Sequence, residues 1–238
     1  LLLLWAQVLG CAVAVPGEDE HCALQLPVKQ GDLPKVAIFL TTHWGKRHQS
    51  YVPCWDMATK TFPLLRNADL LLYTAKAVSE KDLRSFHFRN VSIKHYVNEG
   101  YQQGAMLANK EAFGYKGQRE RWFEGYDWVV RLNPDTLLTQ DEWILKAMQN
   151  KSLDAIFVRC AVGLRVHTDF FAVRPSEIDP AAMEKCTDVH RQAEDAFTCA
   201  VQNIIHSQRW VWLEGSRTYG GRVGGPQPTV PGSTQNSS

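Results

Sequence analysis

Residues 126–135 read Tyr-Asp-Trp-Val-Val-Arg-Leu-Asn-Pro-Asp. The apolar, β-branched run predicts a buried strand, and Pro134 ends it because proline cannot donate to a sheet ladder. Arg131, Asn133 and Asp135 alternate along this stretch, so Asp135 comes just past the carboxyl end of the strand. In open α/β sheets, ligands bind beyond the carboxyl ends of the strands. The stretch therefore predicts a ligand-binding edge at residues 131–135.

The rest of the chain alternates between strand and helix patterns. Short apolar runs predict further strands at 35–40, 68–74, 91–97, 155–159, 170–174 and 210–213. Helices are predicted at 53–65, 102–113 and 193–207, and capping boxes predict helix starts at Ser79 with Asp82 and at Thr139 with Glu142. This alternation predicts an α/β fold, a mostly parallel sheet with helices on both faces.

The 238 residues predict one domain between two flanking segments. Residues 1–34 are interpreted as leader and linker, 35–219 as the domain, and 220–238, rich in Gly, Pro, Ser and Thr, as a flexible tail. The apolar leader has the length of a signal-peptide core and is shorter than the roughly 20 residues of a membrane span. A signal-anchor, or a buried helix of the fold, remains an alternative.

Several features predict a secretory route, to the Golgi lumen or to secretion. Sequons occur at Asn90, Asn150 and Asn236.

Six cysteines without a Cys-x-x-Cys pair argue against a zinc site and predict one or two disulfides with a free thiol. The formal net charge of +1 argues against a nucleic-acid partner. Membrane contact is expected only through the leader, if it is not cleaved.

Asp135 carries the strongest chemical hypothesis. A carboxylate at the binding edge can hold Mg²⁺ or Mn²⁺, which in turn holds a diphosphate. The alternative is that Asn-Pro-Asp is only good turn chemistry. The residues alone leave both interpretations open.

The same stretch resembles a family motif. Glycosyltransferases of the GT-A fold carry Asp-x-Asp after an apolar strand, and this sequence resembles a variant with Asn133 in the first slot and Asp135 in the last. Residues 122–135, with 100–106 and 167–175, resemble an uncharacterised glycosyltransferase-like family of algae and fungi. The resemblance covers roughly residues 35–223. It implies a GT-A-like (Rossmann-like) sheet and transfer of a sugar from a nucleotide-diphosphate sugar to a hydroxyl of a glycan or protein acceptor.

The resemblance also implies roles for individual residues. Asp135, with Asn133 assisting, would hold the divalent cation, although an amide is a weaker metal ligand than a carboxylate. Residues expected to contact the donor or the sugar are Thr41, Thr42, Gln103, Arg131, Asn133 and Asp169. Arg131 would either buttress the site or offset phosphate charge.

If the reaction inverts the anomeric centre, Glu194 and Asp195 are the candidates for the catalytic base that deprotonates the acceptor hydroxyl. Asp195 is preferred because it projects away from the packed face of its helix. Acids in a first turn are also favoured by the helix dipole without any catalytic role. The second functional interpretation is a non-catalytic carbohydrate- or nucleotide-binding protein on the same fold. The third is an unrelated secreted α/β protein whose motif is only a turn.

Overall fold

Nine strands are present in a computed structural model that describes residues 33–97, 100–160 and 165–213 and the backbone of 222–223. The strands are β1 (Val36–Thr42), β2 (Asp69–Thr74), β3 (Asn90–His95), β4 (Trp128–Leu132), β5 (Leu137–Leu138), β6 (Ala155–Arg159), β7 (Val166–Val173), β8 (Trp210–Leu213) and β9 (Arg222–Val223). Seven form one sheet in the order β3-β2-β1-β4-β7-β6-β8, and β5 and β9 form a separate pair.

Ten α-helices connect and cover the strands. They are α1 (Lys46–Gln49), α2 (Val52–Thr61), α3 (Pro63–Arg66), α4 (Glu80–Arg84), α5 (Tyr101–Phe113), α6 (Tyr115–Arg119), α7 (Glu142–Gln149), α8 (Pro180–Val189), α9 (Ala193–Ala200) and α10 (Gln202–Ser207). These ten are the helices of the described ranges, together with a 3-10 turn at Pro175–Glu177.

The sheet is mixed, with a single reversed strand. β1 runs parallel to β2 and β4, β2 parallel to β3, and β6 parallel to β8. β7 is antiparallel to both of its neighbours, β4 and β6. Six of the seven strands therefore share one direction, which confirms the prediction of a mostly parallel α/β sheet.

Side chains alternate between the two faces of the sheet, and helices cover both. Along β4, Trp128 and Val130 join a core formed with α2, α3 and α7, which we call the back face. Val129 joins a second core formed with α5, α8 and α9, which we call the front face. Strands buried on both faces read as continuous apolar runs, which is the pattern that predicted them from the sequence.

Some predicted boundaries are wrong for local reasons. The predicted helix 53–65 is two helices, because Pro63 begins α3 where its missing N–H is tolerated. The helix 193–207 divides at Val201, and β7 begins at Val166 rather than at 170. The capping box at Ser79 is confirmed, since Asp82 N–H donates to Ser79 Oγ at 3.1 Å.

The second predicted capping box is wrong. Asp141 is the residue before α7, and its carboxylate makes no cap bond to that helix. Asp141 Oδ2 instead accepts the backbone N–H of Leu64 in α3 at 2.6 Å. A buried carboxylate thus joins two helices of the back face rather than starting one.

The cysteine prediction is confirmed within the described residues. Cys186 of α8 and Cys199 of α9 form a disulfide, and Cys160 is a free thiol. Nearly all of the predicted leader (1–34) and tail (220–238) lies outside the described residues. Among the residues that are described, no helix is both long and apolar enough to cross a bilayer.

Candidate functional site

The carboxyl ends of β1 and β4 meet at the centre of the sheet, where a polar network replaces the apolar core. Thr41 and Arg131 extend the front face from these strands, and Asn133 follows β4. Asp169 joins them from β7, because an antiparallel strand brings its early residues to this same edge. The structure therefore brings together four of the predicted donor-contacting residues.

Arg131 lies beneath the network rather than on its surface. Its side chain is 1% exposed, Nη2 donates to Thr41 Oγ1 at 2.9 Å, and Nη1 lies 3.8 Å from Asp169 Oδ1. A guanidinium at that depth supports the side chains above it, and it cannot meet a phosphate arriving from solvent. Of the two predicted roles for Arg131, the geometry favours the buttress.

Both the nitrogen and the oxygen of the Asn133 side-chain amide make hydrogen bonds. Nδ2 donates to Asp169 Oδ1 at 2.5 Å, and Oδ1 accepts from Thr41 Oγ1 at 3.0 Å. The backbone N–H of Asn133 also donates to the carbonyl of Asp169 at 3.3 Å. The pairing of β6 with β7 shifts here, since Phe157 pairs with Phe171 but Arg159 with Val166. Such a bulge re-aims side chains, and this one lies where Asp169 faces Asn133.

Residues 133–136 form a turn, as the simpler interpretation of Asn-Pro-Asp predicted. Thr136 N–H donates to the carbonyl of Asn133 at 2.9 Å. The indole of Trp55, buried in α2, donates to the carbonyl of Pro134 at 2.7 Å. Asp135 is thereby held at the edge, and its Oδ2 lies 3.0 Å from Nη2 of Arg47.

Arg47 belongs to a tightly fixed segment that follows β1. Trp44 is buried with a positive φ of 49°, and its N–H donates to Thr42 Oγ1 at 2.8 Å. A residue held in this sparsely populated region persists only when its surroundings determine it. Gly45 lies close to the ring of His43: an added Cβ would lie 2.7 Å from Nε2, so the ring would have to move.

His48 is an internal, neutral member of this segment. Its Nδ1 lies 2.7 Å from Thr42 Oγ1, and its ring centroid lies 4.2 Å from that of His43. Burial lowers the pKa of His48 to about 4, and the neighbouring His43 acts in the same direction. Asp135 opposes this shift, which also shows that the carboxylate lies close to the imidazole.

The acidic pair of α9, Glu194 and Asp195, contacts residues at the start of β7. The hydroxyl of Thr168 donates to Glu194 Oε1 at 2.9 Å. Asp195 Oδ1 accepts from Nη1 of Arg165 at 3.2 Å, and both side chains are about one-third exposed. Glu194 thus has a neutral partner, whereas Asp195 has a positive one.

The pKa of the Cys160 thiol, which follows β6, is affected by the charges of three carboxylates. Burial raises its pKa to about 11, with smaller contributions in the same direction from the charges of Glu194, Asp169 and Asp195 and an opposing one from Arg165. Thr168, whose hydroxyl bonds Glu194, directly precedes Asp169 in β7, and Arg165, which pairs with Asp195, directly precedes the same strand. The acidic pair and Asp169 therefore lie in one region, beside the start of β7. The structure therefore unites the predicted base candidates with the predicted sugar-contacting residue.

Gln103 is placed differently from the other predicted residues. It is exposed on the first turn of α5. Its neighbour Gln102 faces the site instead, and Gln102 Oε1 accepts the backbone N–H of Ala193 at the start of α9 at 2.9 Å. Gln102 therefore orients the helix that carries the acidic pair.

Sequence reasoning missed Arg47, Arg165 and Thr168. Arg47 had a usable signal, because it follows β1 by a few residues and such loops lie at the ligand edge. Thr168 stood beside the predicted Asp169, in a polar stretch of which only Asp169 was given a role. Arg165 precedes β7 by one residue, and its position at the edge depends on the reversed direction of that strand.

The donor atoms available here do not fit a resident divalent cation. Asn133 Oδ1 already accepts from Thr41, and Asp135 is paired with a guanidinium. Within the described ranges, no group of three or more His, Cys, Asp or Glu side chains is arranged to hold a metal ion. A cation that arrived with a diphosphate would meet the positive charge of Arg47 at Asp135.

Comparison with known proteins finds similarity in fold only. No family model matches the chain, and no curated protein matches its sequence. The fold is similar to a mannosyltransferase from Pyrobaculum calidifontis solved with GDP-Man and Mn²⁺, at 12% identity and a TM-score of 0.44, covering 70% of this chain and 51% of that one. It is similar to the glycosyltransferase GlyE of Streptococcus pneumoniae, at 10% identity and a TM-score of 0.47, covering 76% of this chain and 45% of that one.

A third similar structure is a cytidylyltransferase from Leptospira borgpetersenii, at 11% identity and a TM-score of 0.44, covering 83% of this chain and 82% of that one. The chain spans about half the length of the two glycosyltransferases. At these scores and identities, the similarities do not transfer an activity, a substrate or a metal to this chain.

Proposed function

We propose that this protein transfers a sugar from a nucleotide-diphosphate sugar to an acceptor hydroxyl. The observation that carries the proposal is the separation of charge along the ligand edge. A guanidinium, Arg47, stands on the β1 side of Asn133. Three carboxylates, Asp169, Glu194 and Asp195, lie on the β7 side. Glu194 is bonded by the Thr168 hydroxyl, while the other two lie near the guanidinium groups of Arg131 and Arg165. An edge with a cation at one end and carboxylates at the other suits a reaction with an anionic leaving group and a hydroxyl nucleophile.

Each end of the edge has a distinct task in such a transfer. The bond between the sugar and the diphosphate breaks as the hydroxyl attacks, so negative charge grows on the diphosphate. A preorganised guanidinium stabilises that charge through charge-assisted hydrogen bonds. At the other end, the acceptor hydroxyl must lose its proton, and a carboxylate is the group that accepts it.

Glu194 is the better candidate for the base. Asp195 is already engaged by a cation, since its Oδ1 lies 3.2 Å from Nη1 of Arg165. Glu194 is held only by the hydroxyl of Thr168 in the contacts found for it. The sequence argument preferred Asp195 because of its projection from the helix, but both side chains are partly exposed and projection does not separate them. Asp195 remains the second candidate.

The finer parts of the proposal rest on the sequence. They are kinship with the algal and fungal glycosyltransferase-like family, a glycan or protein acceptor, and a secretory or Golgi location with the leader as signal or anchor. Asn90 and Asn150 are both exposed, as glycan acceptors must be. A divalent cation on Asp135 is the arrangement that competes with the Arg47 contact.

Amide variants of the acidic pair test the proposal. In Glu194→Gln the shape is retained and proton acceptance is lost, so we expect transfer to fall by roughly 10²–10⁴, the usual contribution of general base catalysis. Donor affinity should change little, because the base acts on the acceptor. The measurement is single-turnover transfer together with donor titration, over a panel of nucleotide sugars.

Glu80→Gln is the matched control, since Glu80 is an exposed acid at the start of another helix, α4. Parent-like transfer by both Glu194→Gln and Asp195→Asn would contradict the assignment of the base to this pair. Donor binding by the parent without any transfer would instead favour the non-catalytic nucleotide-binding protein.

A further inference from the structure

We infer that Arg47 takes the place of the divalent cation, binding the donor's diphosphate while Asp135 holds it at the edge, so that donor binding needs no metal. The inference rests on the proposed function, because it concerns the diphosphate of the same donor. It starts from one contact, Arg47 Nη2 to Asp135 Oδ2 at 3.0 Å. That contact puts a positive charge against the carboxylate that would otherwise coordinate a metal.

Arg47 has the exposure that a phosphate ligand requires. Its side chain is 68% exposed, whereas that of Asp135 is 20% exposed. A guanidinium has five N–H donors in a planar fork, and the contact with Asp135 engages one nitrogen. The outer part of the fork can therefore meet phosphate oxygens while the inner part stays on the carboxylate. Arg131, by contrast, is 1% exposed and serves as support.

Hydrogen bonds hold the backbone segment that carries Arg47 in place. Trp44 N–H donates to Thr42, and Gln49 Nε2 donates to the carbonyl of Trp44 at 3.0 Å. His48, adjacent to Arg47, is held against Thr42 and His43. The residues on both sides of Arg47 are thus fixed before any ligand arrives. Such preorganisation lowers the entropic cost of binding, because little of the segment remains to be ordered.

The metal-bound arrangement conflicts with two existing contacts. A cation on Asp135 would lie against the positive charge of the Arg47 guanidinium, and Asn133 Oδ1 already accepts the hydroxyl of Thr41. An arrangement with Arg47 on the diphosphate breaks neither contact. The two arrangements therefore predict opposite responses to the same substitutions, which makes them separable by experiment.

The experiment is calorimetric titration with UDP, GDP, ADP, CDP and inorganic pyrophosphate, each in EDTA and in Mn²⁺. We expect the parent to bind at least one nucleoside diphosphate with similar affinity in both buffers. Arg47→Ala should weaken that binding about tenfold or more in both, the usual effect of losing hydrogen bonds to a charged group. Arg47→Lys should recover only part of it, because an ammonium keeps the charge and loses the planar fork.

Asp135→Asn should weaken binding only a few-fold, and equally in both buffers, since it loosens Arg47 without removing it. Arg66→Ala is the control: it removes one charge from an exposed arginine that precedes β2, at the opposite edge of the sheet. Circular dichroism checks that each variant is folded.

Binding that needs Mn²⁺, is abolished by Asp135→Asn and is unchanged or tightened by Arg47→Ala would overturn the inference and leave the proposed function standing. No binding of any of the nucleotides in either buffer would remove both.

Discussion

Asp169 compensates the charge of Arg131 and also orients the side chain of Asn133. Its Oδ1 accepts from Asn133 Nδ2 and lies 3.8 Å from the guanidinium of Arg131, which is almost completely buried. A buried charge is costly unless a partner and hydrogen bonds compensate for it. Asp169 therefore contributes to the stability of the fold as well as to the proposed site. The two contributions can be separated by measuring unfolding apart from binding.

We expect Asp169→Ala to lower the free energy of unfolding by about 1–3 kcal/mol, because it leaves Asn133 and Arg131 with less compensation. Urea denaturation followed by circular dichroism measures the change. Asp188→Ala is the control: Asp188 pairs with Lys110 but is 66% exposed, and such surface pairs contribute about 0–1 kcal/mol. Equal losses in the two variants would contradict the supporting role.

His48 makes the stability depend on pH. In the unfolded chain it binds a proton near pH 6.5, whereas in the fold it stays neutral down to about pH 4. Below pH 6.5 the unfolded state therefore binds more protons, and stability is lost as the pH falls from 6.5 towards 4. The contribution is fully present above pH 6.5.

The variant His48→Asn tests this, because an amide oxygen can replace Nδ1 as a partner of Thr42 and does not titrate. Urea midpoints above pH 6.5 and near pH 4 should differ less in the variant than in the parent. His95→Asn, at an exposed position at the end of β3, is the matched control. A parent-like acid loss in His48→Asn would refute the assignment.

At the element scale, β7 explains both what the sequence could predict and what it could not. The rule that ligands bind beyond the carboxyl ends of strands located Asp135 and the loop after β1. The same rule would have put residues 167–169 at the opposite edge, because they precede a strand. Only the reversed direction of β7 brings Asp169 to the site. Direction comes from pairing with β4 and β6, and a local apolar pattern carries no information about it.

The placement of α9 depends on two long-range contacts. Gln102 binds the first N–H of α9, and the Cys186–Cys199 disulfide joins this helix to α8. Neither contact could be predicted from periodicity, which identified the helix but not its neighbours. The helix that carries the acidic pair is therefore anchored near both of its ends.

Removal of the disulfide should loosen this anchoring. The bond closes a loop with a sequence separation of 13, for which chain entropy predicts a contribution of roughly 3 kcal/mol. We expect the double variant Cys186→Ala/Cys199→Ala to lose about 2–4 kcal/mol of unfolding free energy in denaturant titration. Cys160→Ala, at the free thiol, should lose much less. A double variant as stable as the oxidised parent would show that packing alone holds α8 and α9 together.

For the whole molecule, hydrophobic pattern was enough to predict the mostly parallel sheet and the helices on both faces. Long-range polar contacts were not predictable. The Arg47–Asp135 pair joins residues 88 apart, and the Thr41–Asn133 bond joins residues 92 apart. Such contacts depend on the assembled sheet, which is why the Arg47–Asp135 pair was not expected while the mostly parallel fold was.

The reversed strand also has a consequence for how the chain is made. β4 pairs with β1 as soon as both exist, but its other edge waits for β7, and residues 133–165 lie between them. A ribosome adds about 5–20 residues per second, so the edge stays open for roughly 2–7 s of synthesis. An open apolar edge is a template for pairing with another chain. The nascent protein is therefore most exposed to aggregation while these residues are being translated. On a crowded polysome, more nascent chains lie close enough to pair with the open edge of β4.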